Sequence, residues 1–330
     1  MRFPMEGSDY ESQWASGITP NFLLGHRING FDAEFMPVPF GFTYSQRMRV
    51  KGFYIQSHHF GVQEDATVVP FTALALAIHY QLHGYIPARL YDLFSVNLAK
   101  GEYNAFDLSG KEHRAELLTS PFLYHCFHID IDPAILPSLV RDYPALQPLA
   151  DRLVRRPDNI LNKRPLVISP ATYLFLDAIS NNIYEGKIAE HYLYPICVSL
   201  YCQYARQVDI TEGPISEYFK IEDIHLLNSL KDMLRDIRRG AHLGIDTAFL
   251  AKKYNTPRSL INALFIQNYF ITADDLITAV RLNTAFHLIR KSRHHDDATL
   301  ARRCGYHNYR RFVADFYQHF GIWPEALAKL

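Results

Sequence analysis

Residues 300–324, LARRCGYHNYRRFVADFYQHFGIWP, constrain the fold of this 330-residue chain more than any other stretch. Gly305 separates two short helical patterns, and glycine readily adopts the backbone conformation of a tight turn. Asp296 or Asp297 can cap a first helix that carries Leu300 inward, and Asn308 can cap a second helix. Apolar residues then recur at helical spacing along the second helix: they are Phe312, Val313, Phe316 and Phe320. The segment therefore predicts two short helices joined by a tight turn.

Several side chains near the N-terminal end of the second helix lie outside its apolar stripe. They are Tyr309, Arg310, Arg311 and Ala314. A helix fixed by one buried face can present arginine to guanine O6 and N7 or to a phosphate. We therefore predict a recognition helix that enters a DNA major groove. The alternative for these two arginines is an ordinary solvated helix face.

The distribution of charge agrees with contact to nucleic acid. The whole chain has 34 Lys and Arg residues and 34 Asp and Glu residues. Residues 246–330 carry 12 basic against 7 acidic residues, a net charge of +5, and residues 1–245 carry 22 against 27, a net charge of −5. A basic end on an acidic body favours DNA as a partner.

The remainder of the sequence predicts an α+β protein with two domains. Residues 52–131 contain short strand-like segments separated by Gly turns, typical of a small antiparallel barrel or sandwich. Residues 134–206 have apolar residues at helical spacing, including a helical hairpin within 170–206. We predict domains at 1–208 and 220–330 with a linker at 209–219, and the first fifty residues are left without an assignment. The C-terminal domain contains the order short helix, tight turn, second helix twice.

The end of the chain resembles the signature of AraC/XylS-type transcriptional regulators. The matching residues are Ala301, Gly305-Tyr306, Phe312, Phe316, Phe320-Gly321-Ile322 and Pro324, and LITAVRLNTAFHLI resembles the connecting helix of the family. The resemblance covers residues 246–330 strongly and begins at about 221. It implies a seven-helix domain whose two helix-turn-helix units read adjacent major grooves. It also implies a cupin-like sensor or dimerisation domain before it.

The first helix-turn-helix unit departs from the family pattern. Asn255 replaces the turn glycine, and Phe270 stands where glycine is expected. In the second unit Ala314 takes a place where the family often has an arginine. We predict Phe320 and Trp323 to be core residues. The predicted DNA-binding residues are Arg258, Ser259, Asn262, His307, Asn308, Tyr309, Arg310 and Arg311.

The N-terminal part offers a faint resemblance to cupin metal sites in GFYIQSHHFGVQED. His58 and His59 are adjacent, so on a strand they point to opposite faces. His125 and His128 are also on opposite faces if HCFH is extended. We therefore predict no metal site and no cofactor. We find none of the common catalytic or nucleotide-binding motifs and predict no catalytic residues.

The four scattered cysteines indicate reduced thiols and a cytoplasmic protein. No apolar run is long enough for a transmembrane helix, and the first residues have no secretory signal pattern, so we predict no membrane association. The expected partners are double-stranded DNA, an unidentified small-molecule effector and, as a candidate, RNA polymerase. A homodimer through helices in 170–206 is predicted, with packing inside the chain as the alternative. Two other functions stay open: a cupin-like metal-dependent enzyme with a DNA-binding tail, and a regulator controlled by a partner protein.

Overall fold

The computed structural model describes residues 15–16, 19–68, 76–90, 94–107, 113–120, 123–155, 162, 164–212, 224–291 and 297–330. These residues form two compact units. The first unit comprises residues up to Ile168 together with Ala178–Glu185, and the second comprises Ser169–Asp177 and Gly186–Leu330. The first, called the β unit below, is built on β-strands, and the second, called the helical unit, is built on helices. This confirms the predicted α+β class.

The strands of the first unit all pair in antiparallel fashion. Their bounds are β1 Ala15–Ser16, β2 Asp32–Val38, β3 Gly41–Val50, β4 Phe53–Val62, β5 Ala66–Val68, β6 Leu76–His83, β7 Ile86–Leu90, β8 Phe94–Leu98, β9 Glu102–Asp107, β10 His113–Leu117, β11 Tyr124–Ile131 and β12 Leu166–Val167. One sheet has the order β1-β2-β3-β4-β11-β6-β9-β12 and the other β5-β10-β7-β8. The predicted antiparallel β domain is confirmed, and strands also form within the fifty residues that the sequence left unassigned.

The two strands on either side of Lys100 and Gly101 belong to different sheets. β8 pairs with β7 in the smaller sheet, and β9 pairs with β6 in the larger one. Gly101 adopts φ 84°, the left-handed region in which glycine has no steric penalty. The connection therefore joins the two sheets.

The central strands of the larger sheet alternate an apolar face with a polar one. One face carries Ile55, Ile129 and Ile78 in direct cross-strand register, and all three are fully buried. His58 and His59 lie on opposite faces of β4, as do His125 and His128 of β11, which confirms that part of the prediction.

The α-helices begin at Leu136, after β11. Their bounds are α1 Leu136–Asp142, α2 Gln147–Arg155, α3 Pro170–Ser180, α4 Gly186–Glu212, α5 Ile224–Gly240, α6 Thr247–Lys253, α7 Arg258–Tyr269, α8 Ala273–Lys291, α9 Asp297–Arg303, α10 Tyr309–Phe320 and α11 Pro324–Lys329. Short 3-10 turns occur at Asn21–His26, Pro133–Ile135, Pro144–Leu146 and Ala241–Leu243. Among the described residues, none of these helices has the length and apolar character needed to cross a bilayer.

The helical hairpin predicted within 170–206 is formed by α3 and α4. The apolar residues at helical spacing in this hairpin are Leu174, Leu176, Ile179, Ile183, Leu193, Ile196 and Leu200. All except Leu174 and Ile183 are buried within the single chain. Packing inside the chain, the alternative to a dimer seam, accounts for these five side chains. Homodimerisation stays a prediction.

The contacts group α4 with the C-terminal helices. His191 of α4 lies with Nδ1 2.9 Å from the carbonyl oxygen of Phe320, the last residue of α10. The first four residues of the predicted linker, 209–212, continue α4, and 213–219 lie outside the described residues. The predicted boundaries at 208 and 220 stay a prediction.

Candidate DNA-binding surface

The second helix-turn-helix unit is formed by α9 and α10. Gly305 turns the chain between them with φ 79°. Oδ1 of Asn308 accepts a hydrogen bond from the backbone N–H of Arg311 over 3.1 Å, the predicted N-cap of α10. The predicted stripe faces inward, with Phe312, Phe316 and Phe320 fully buried and Val313 half-buried. The helix therefore has one fixed face.

The outer face of α10 begins with the predicted arginines. Arg310 is exposed and has no hydrogen-bond or ion-pair partner within the described part of the chain. The Arg311 side chain is 78 % exposed, and its Nε lies 3.6 Å from Oδ2 of Asp315. The OH of Tyr309 donates to Oε1 of Glu325 over 2.8 Å. Arg310 is therefore an exposed arginine at the start of the helix that no described side chain holds in place.

The side chain of Asn308 has a structural role. Its oxygen accepts the capping hydrogen bond, so Asn308 contributes to the surface by fixing the residue at which α10 begins. His307 in the turn is exposed. Whether these predicted residues contact DNA stays a prediction.

A groove of about 620 Å³ lies beside the turn of the second unit. Its basic and imidazole side chains are His242, Arg302, Arg303 and His307, and Thr284 and Leu288 also line it. The sequence did not single out His242 or Thr284. Positions 242, 284 and 302 are far apart along the chain, so no spacing pattern could have indicated that they meet.

The first helix-turn-helix unit is formed by α6 and α7. Oδ1 of Asp246 accepts from the backbone N–H of Phe249 over 2.8 Å and caps α6. Asn255, in place of the usual glycine, adopts φ 48°, a region that asparagine tolerates better than most residues. Phe270, the other departure, takes φ 57° at the end of α7. The turn geometry is therefore kept with different residues.

The predicted readers of the first unit divide into two kinds. Arg258 and Ser259 are exposed at the start of α7. Asn262 is held by the start of α8: its Oδ1 accepts from the N–H of Ala273 over 3.0 Å, and its Nδ2 donates to Oδ2 of Asp274 over 2.8 Å. These bonds give Asn262 a structural role at the start of α8, and its contact with DNA bases stays a prediction.

One predicted core residue is wrong. Trp323 is 47 % exposed and stacks on Tyr317 with ring centroids 4.1 Å apart. Phe320, the other predicted core residue, is fully buried and packs 4.7 Å from the ring of Phe286 in α8. The chain leaves the axis of α10 at Gly321, which has the αL conformation. Trp323 therefore lies beyond the helix and outside its buried stripe.

The comparisons with known proteins agree with this geometry. Residues 250–329 match a family model described as a helix-turn-helix domain. Among solved structures, ToxT from Vibrio cholerae is 13 % identical, covering 84 % of this chain and 98 % of its own, with a TM-score of 0.34. ToxT of V. cholerae strain SCE256 with bound unsaturated fatty acid is 14 % identical, covering 84 % and 95 %, with a TM-score of 0.35. The AraC-like transcriptional activator CuxR is 10 % identical, covering 72 % and 74 %, with a TM-score of 0.34.

The curated proteins contain no match to this chain. At the TM-scores above, the assignment rests on the family match and on the helical geometry. Paired helix-turn-helix units with capped helices and exposed arginines define a DNA-binding transcriptional regulator. Its C-terminal domain is of the AraC type, which confirms the resemblance found in the sequence.

Proposed function

We propose that the chain is an effector-responsive regulator that binds specific DNA sequences with α7 and α10 in two adjacent major grooves. The observation that supports this most is the start of α10. Arg310 is exposed there, while Phe312 and Phe316 of the same helix are fully buried. A helix with a fixed inner face and an accessible arginine can pair with a guanine edge.

The groove beside the second turn supplies phosphate contacts in this proposal. Arg302, Arg303 and His307 converge on it from the end of α9 and the turn. Phosphate contacts give affinity and salt dependence, whereas base contacts give discrimination. The proposed base readers are Arg258, Ser259, Arg310 and Arg311, and Asn308 and Asn262 hold the helices in position.

The β unit is proposed to sense the signal. A ligand shifts a regulator only as far as its affinities for two states differ, so the effector must bind one arrangement of the chain better than another. One ToxT structure contains an unsaturated fatty acid, which makes a small molecule a reasonable class of effector here. Control by a partner protein is the second candidate. The role requires no catalysis, and we propose that the chain is not an enzyme.

The regulator is proposed to act in the cytoplasm, where its double-stranded DNA is located. RNA polymerase is proposed as a further partner, because a bound regulator changes transcription through the polymerase that uses the promoter. A homodimer would place two copies of the domain on neighbouring half-sites.

The test begins with selection of binding sites by the full-length protein from a random-sequence DNA library at low salt. The selected duplex and a scrambled duplex are then titrated by fluorescence anisotropy across a salt series. Arg310→Ala is expected to weaken binding to the selected duplex by roughly 5- to 150-fold, about 1–3 kcal/mol. Binding to the scrambled duplex should change much less.

The matched control is Arg141→Ala. Arg141 is an exposed arginine of α1 that pairs with Asp142, in the β unit. It should leave both titrations unchanged. Failure of the folded full-length protein to enrich any sequence would overturn the proposal, as would equal effects of the two substitutions.

A further inference from the structure

The polar face of the larger sheet contains a buried group of metal-binding side chains. Cys126 and His128 are two residues apart on β11 and therefore point to the same side. The register places Cys126 opposite His58 of β4 and His128 opposite His79 of β6. All four side chains are buried, each with less than a tenth of its surface exposed. Burying so many polar groups on one face is costly unless they are satisfied or bind something.

Three of these side chains are close enough to share one ion. The ligand atoms of His79, Cys126 and His128 all lie within 4.8 Å of one another. Sγ of Cys126 is 3.7 Å from Nε2 of His128. A tetrahedral zinc ion bound at about 2.3 Å to sulfur and 2.0–2.1 Å to nitrogen would hold these two atoms about 3.6 Å apart. The observed separation is already close to that value.

A neighbouring residue orients one of the imidazoles. Nε2 of His79 lies 2.9 Å from Oε1 of Gln81, while Nε2 of Gln81 donates to the carbonyl oxygen of His83. The second bond fixes which end of the Gln81 amide is oxygen, so His79 donates from Nε2 and keeps its lone pair on Nδ1. A hydrogen-bond partner on one ring nitrogen is the usual support of a histidine that binds a metal through the other.

The ring of His128 has a nitrogen that the fold leaves unsatisfied. Its Nδ1 is buried and has no hydrogen-bond partner within the described ranges. The ring packs edge-on against His79, with centroids 4.4 Å apart, and lies 5.2 Å from the ring of His58. An apolar residue at this position would avoid the cost of the buried Nδ1, so the imidazole needs a reason to be there, and its other nitrogen, Nε2, is the one near Sγ of Cys126.

A metal ion takes up these side chains as two neutral imidazoles and one thiolate. Binding of one divalent ion forms the metal–sulfur bond, breaks the S–H bond and releases one proton to solvent.

We propose that His79, Cys126 and His128 bind a borderline or soft transition-metal ion, of which Zn²⁺ is the representative, inside the β unit. One thiolate and two imidazoles favour such ions over Mg²⁺ or Ca²⁺. Three protein ligands leave a fourth coordination position, and the His58 ring lies 5.2 Å from the ring of His128. The site lies in the unit proposed to sense the signal, but metal binding itself does not depend on DNA binding.

Titration of the reduced, metal-free full-length protein with Co²⁺, followed by optical absorption, tests the proposal. We expect one Co²⁺ per chain with a thiolate-to-cobalt charge-transfer band that Zn²⁺ abolishes by competition. Cys126→Ser removes the band, whereas Cys197→Ser, a change at a buried free cysteine of the helical unit, keeps it.

The histidine ligands have a matched control on the same strand. His128→Gln should weaken Co²⁺ binding by more than about tenfold, since loss of an outer-sphere partner alone costs 10- to 100-fold. His125→Gln changes a mostly buried histidine on the opposite face of β11 and should leave the affinity unchanged. Circular dichroism establishes that each variant is folded.

A measurement on the unsubstituted protein protects the test against variants that fail to fold. X-ray absorption of the Zn²⁺-loaded protein is expected to show sulfur at about 2.3 Å and nitrogen at about 2.0–2.1 Å in the first shell. A first shell of oxygen and nitrogen without sulfur overturns the proposal. So does the absence of Co²⁺ binding by the folded protein, or loss of the charge-transfer band in Cys197→Ser but not in Cys126→Ser.

Discussion

Nε of Arg281 donates a hydrogen bond to the carbonyl oxygen of Ala241 over 3.0 Å. Nη2 of the same guanidinium donates to the carbonyl oxygen of Ile245 over 3.2 Å, and the ring of Tyr306 lies 5.8 Å from the guanidinium carbon. One side chain of α8 therefore joins the segment before the first helix-turn-helix unit to the turn of the second. A chain of contacts of this kind fixes the relative geometry of the two recognition helices within the helical unit.

Gly305→Ala is expected to destabilise the helical unit strongly. The residue has φ 79°, and a Cβ atom there would lie 2.8 Å from both the carbonyl oxygen of Ala241 and Nε of Arg281. The left-handed backbone costs a non-glycine residue about 1–2 kcal/mol, and the clash adds to that cost. Chemical unfolding followed by Trp323 fluorescence, in a Trp14→Phe background, measures the loss.

Gly244→Ala separates the cost of the left-handed backbone from the cost of the steric clash. Gly244 has φ 93°, but an added Cβ would meet nothing within 4 Å. It should cost only the backbone term of about 1–2 kcal/mol. Equal losses in the two variants would mean that the contacts of Gly305 with Ala241 and Arg281 do not limit the turn.

Asn308→Ala is expected to lower the free energy of unfolding by about 1 kcal/mol, within a range of about 0.5–2 kcal/mol. The reason is that the N–H of Arg311 loses the side-chain oxygen that caps α10. Gln318→Ala, at an exposed position in the same helix, is the control and should change stability by less than about 0.5 kcal/mol. The same denaturant titration serves both, and a neutral Asn308→Ala would contradict the cap.

The sequence predicted the second helix-turn-helix unit closely because each of its signals is local. Gly305 for the turn, Asn308 for the cap and a phenylalanine every four residues for the buried face act within one or two helical turns. The sequence is less informative where the outcome depends on distant residues. Asn262 was predicted as a base reader from its place on α7, and spacing along α7 could not show that its side chain bonds Ala273 and Asp274 at the start of α8.

In the β unit, too, local sequence patterns do not show which distant side chains meet. Alternation along one strand separates His58 from His59 correctly, and it also places Cys126 and His128 on one face. It cannot bring His79 to that face, because the pairing of β6 with β11 joins residues almost fifty positions apart. The Cys-x-His spacing was the available signal, and cross-strand register was the missing information.

The helical unit is expected to lose stability as the pH falls from about 6.5 to about 4 because of His319. Burial lowers the pKa of this histidine to about 4, so the folded form keeps it neutral while the unfolded chain takes up a proton near pH 6.5. Stability is therefore fully present above pH 6.5 and decreases through this window, by at most about 1.4 kcal/mol per pH unit. His319→Gln should flatten this part of the profile measured by Trp323 fluorescence. An unchanged slope would contradict a half-buried imidazole that stays neutral in the folded chain.

Asn262→Ala and Arg258→Ala are expected to have opposite phenotypes, although the two residues are one turn apart on α7. Asn262 accepts from the N–H of Ala273 and donates to Asp274, so its loss removes both bonds from the start of α8 and should cost about 1 kcal/mol of stability, although Thr272 still accepts from the N–H of Asp275. Arg258 is exposed and has no hydrogen-bond or ion-pair partner among the residues that the structure describes. Its loss should leave the unfolding free energy within about 0.5 kcal/mol.

For binding to the selected duplex, Arg258→Ala is expected to have the larger effect and Asn262→Ala the smaller one. Arg258→Ala should weaken binding by roughly 5-fold or more, with a smaller salt dependence if the contact is to phosphate. Asn262→Ala, measured where the variant is fully folded, should keep the base preference of the unsubstituted protein. Loss of that preference in Asn262→Ala, at unchanged stability, would confirm Asn262 as a reader and show that its contacts to α8 open when DNA binds.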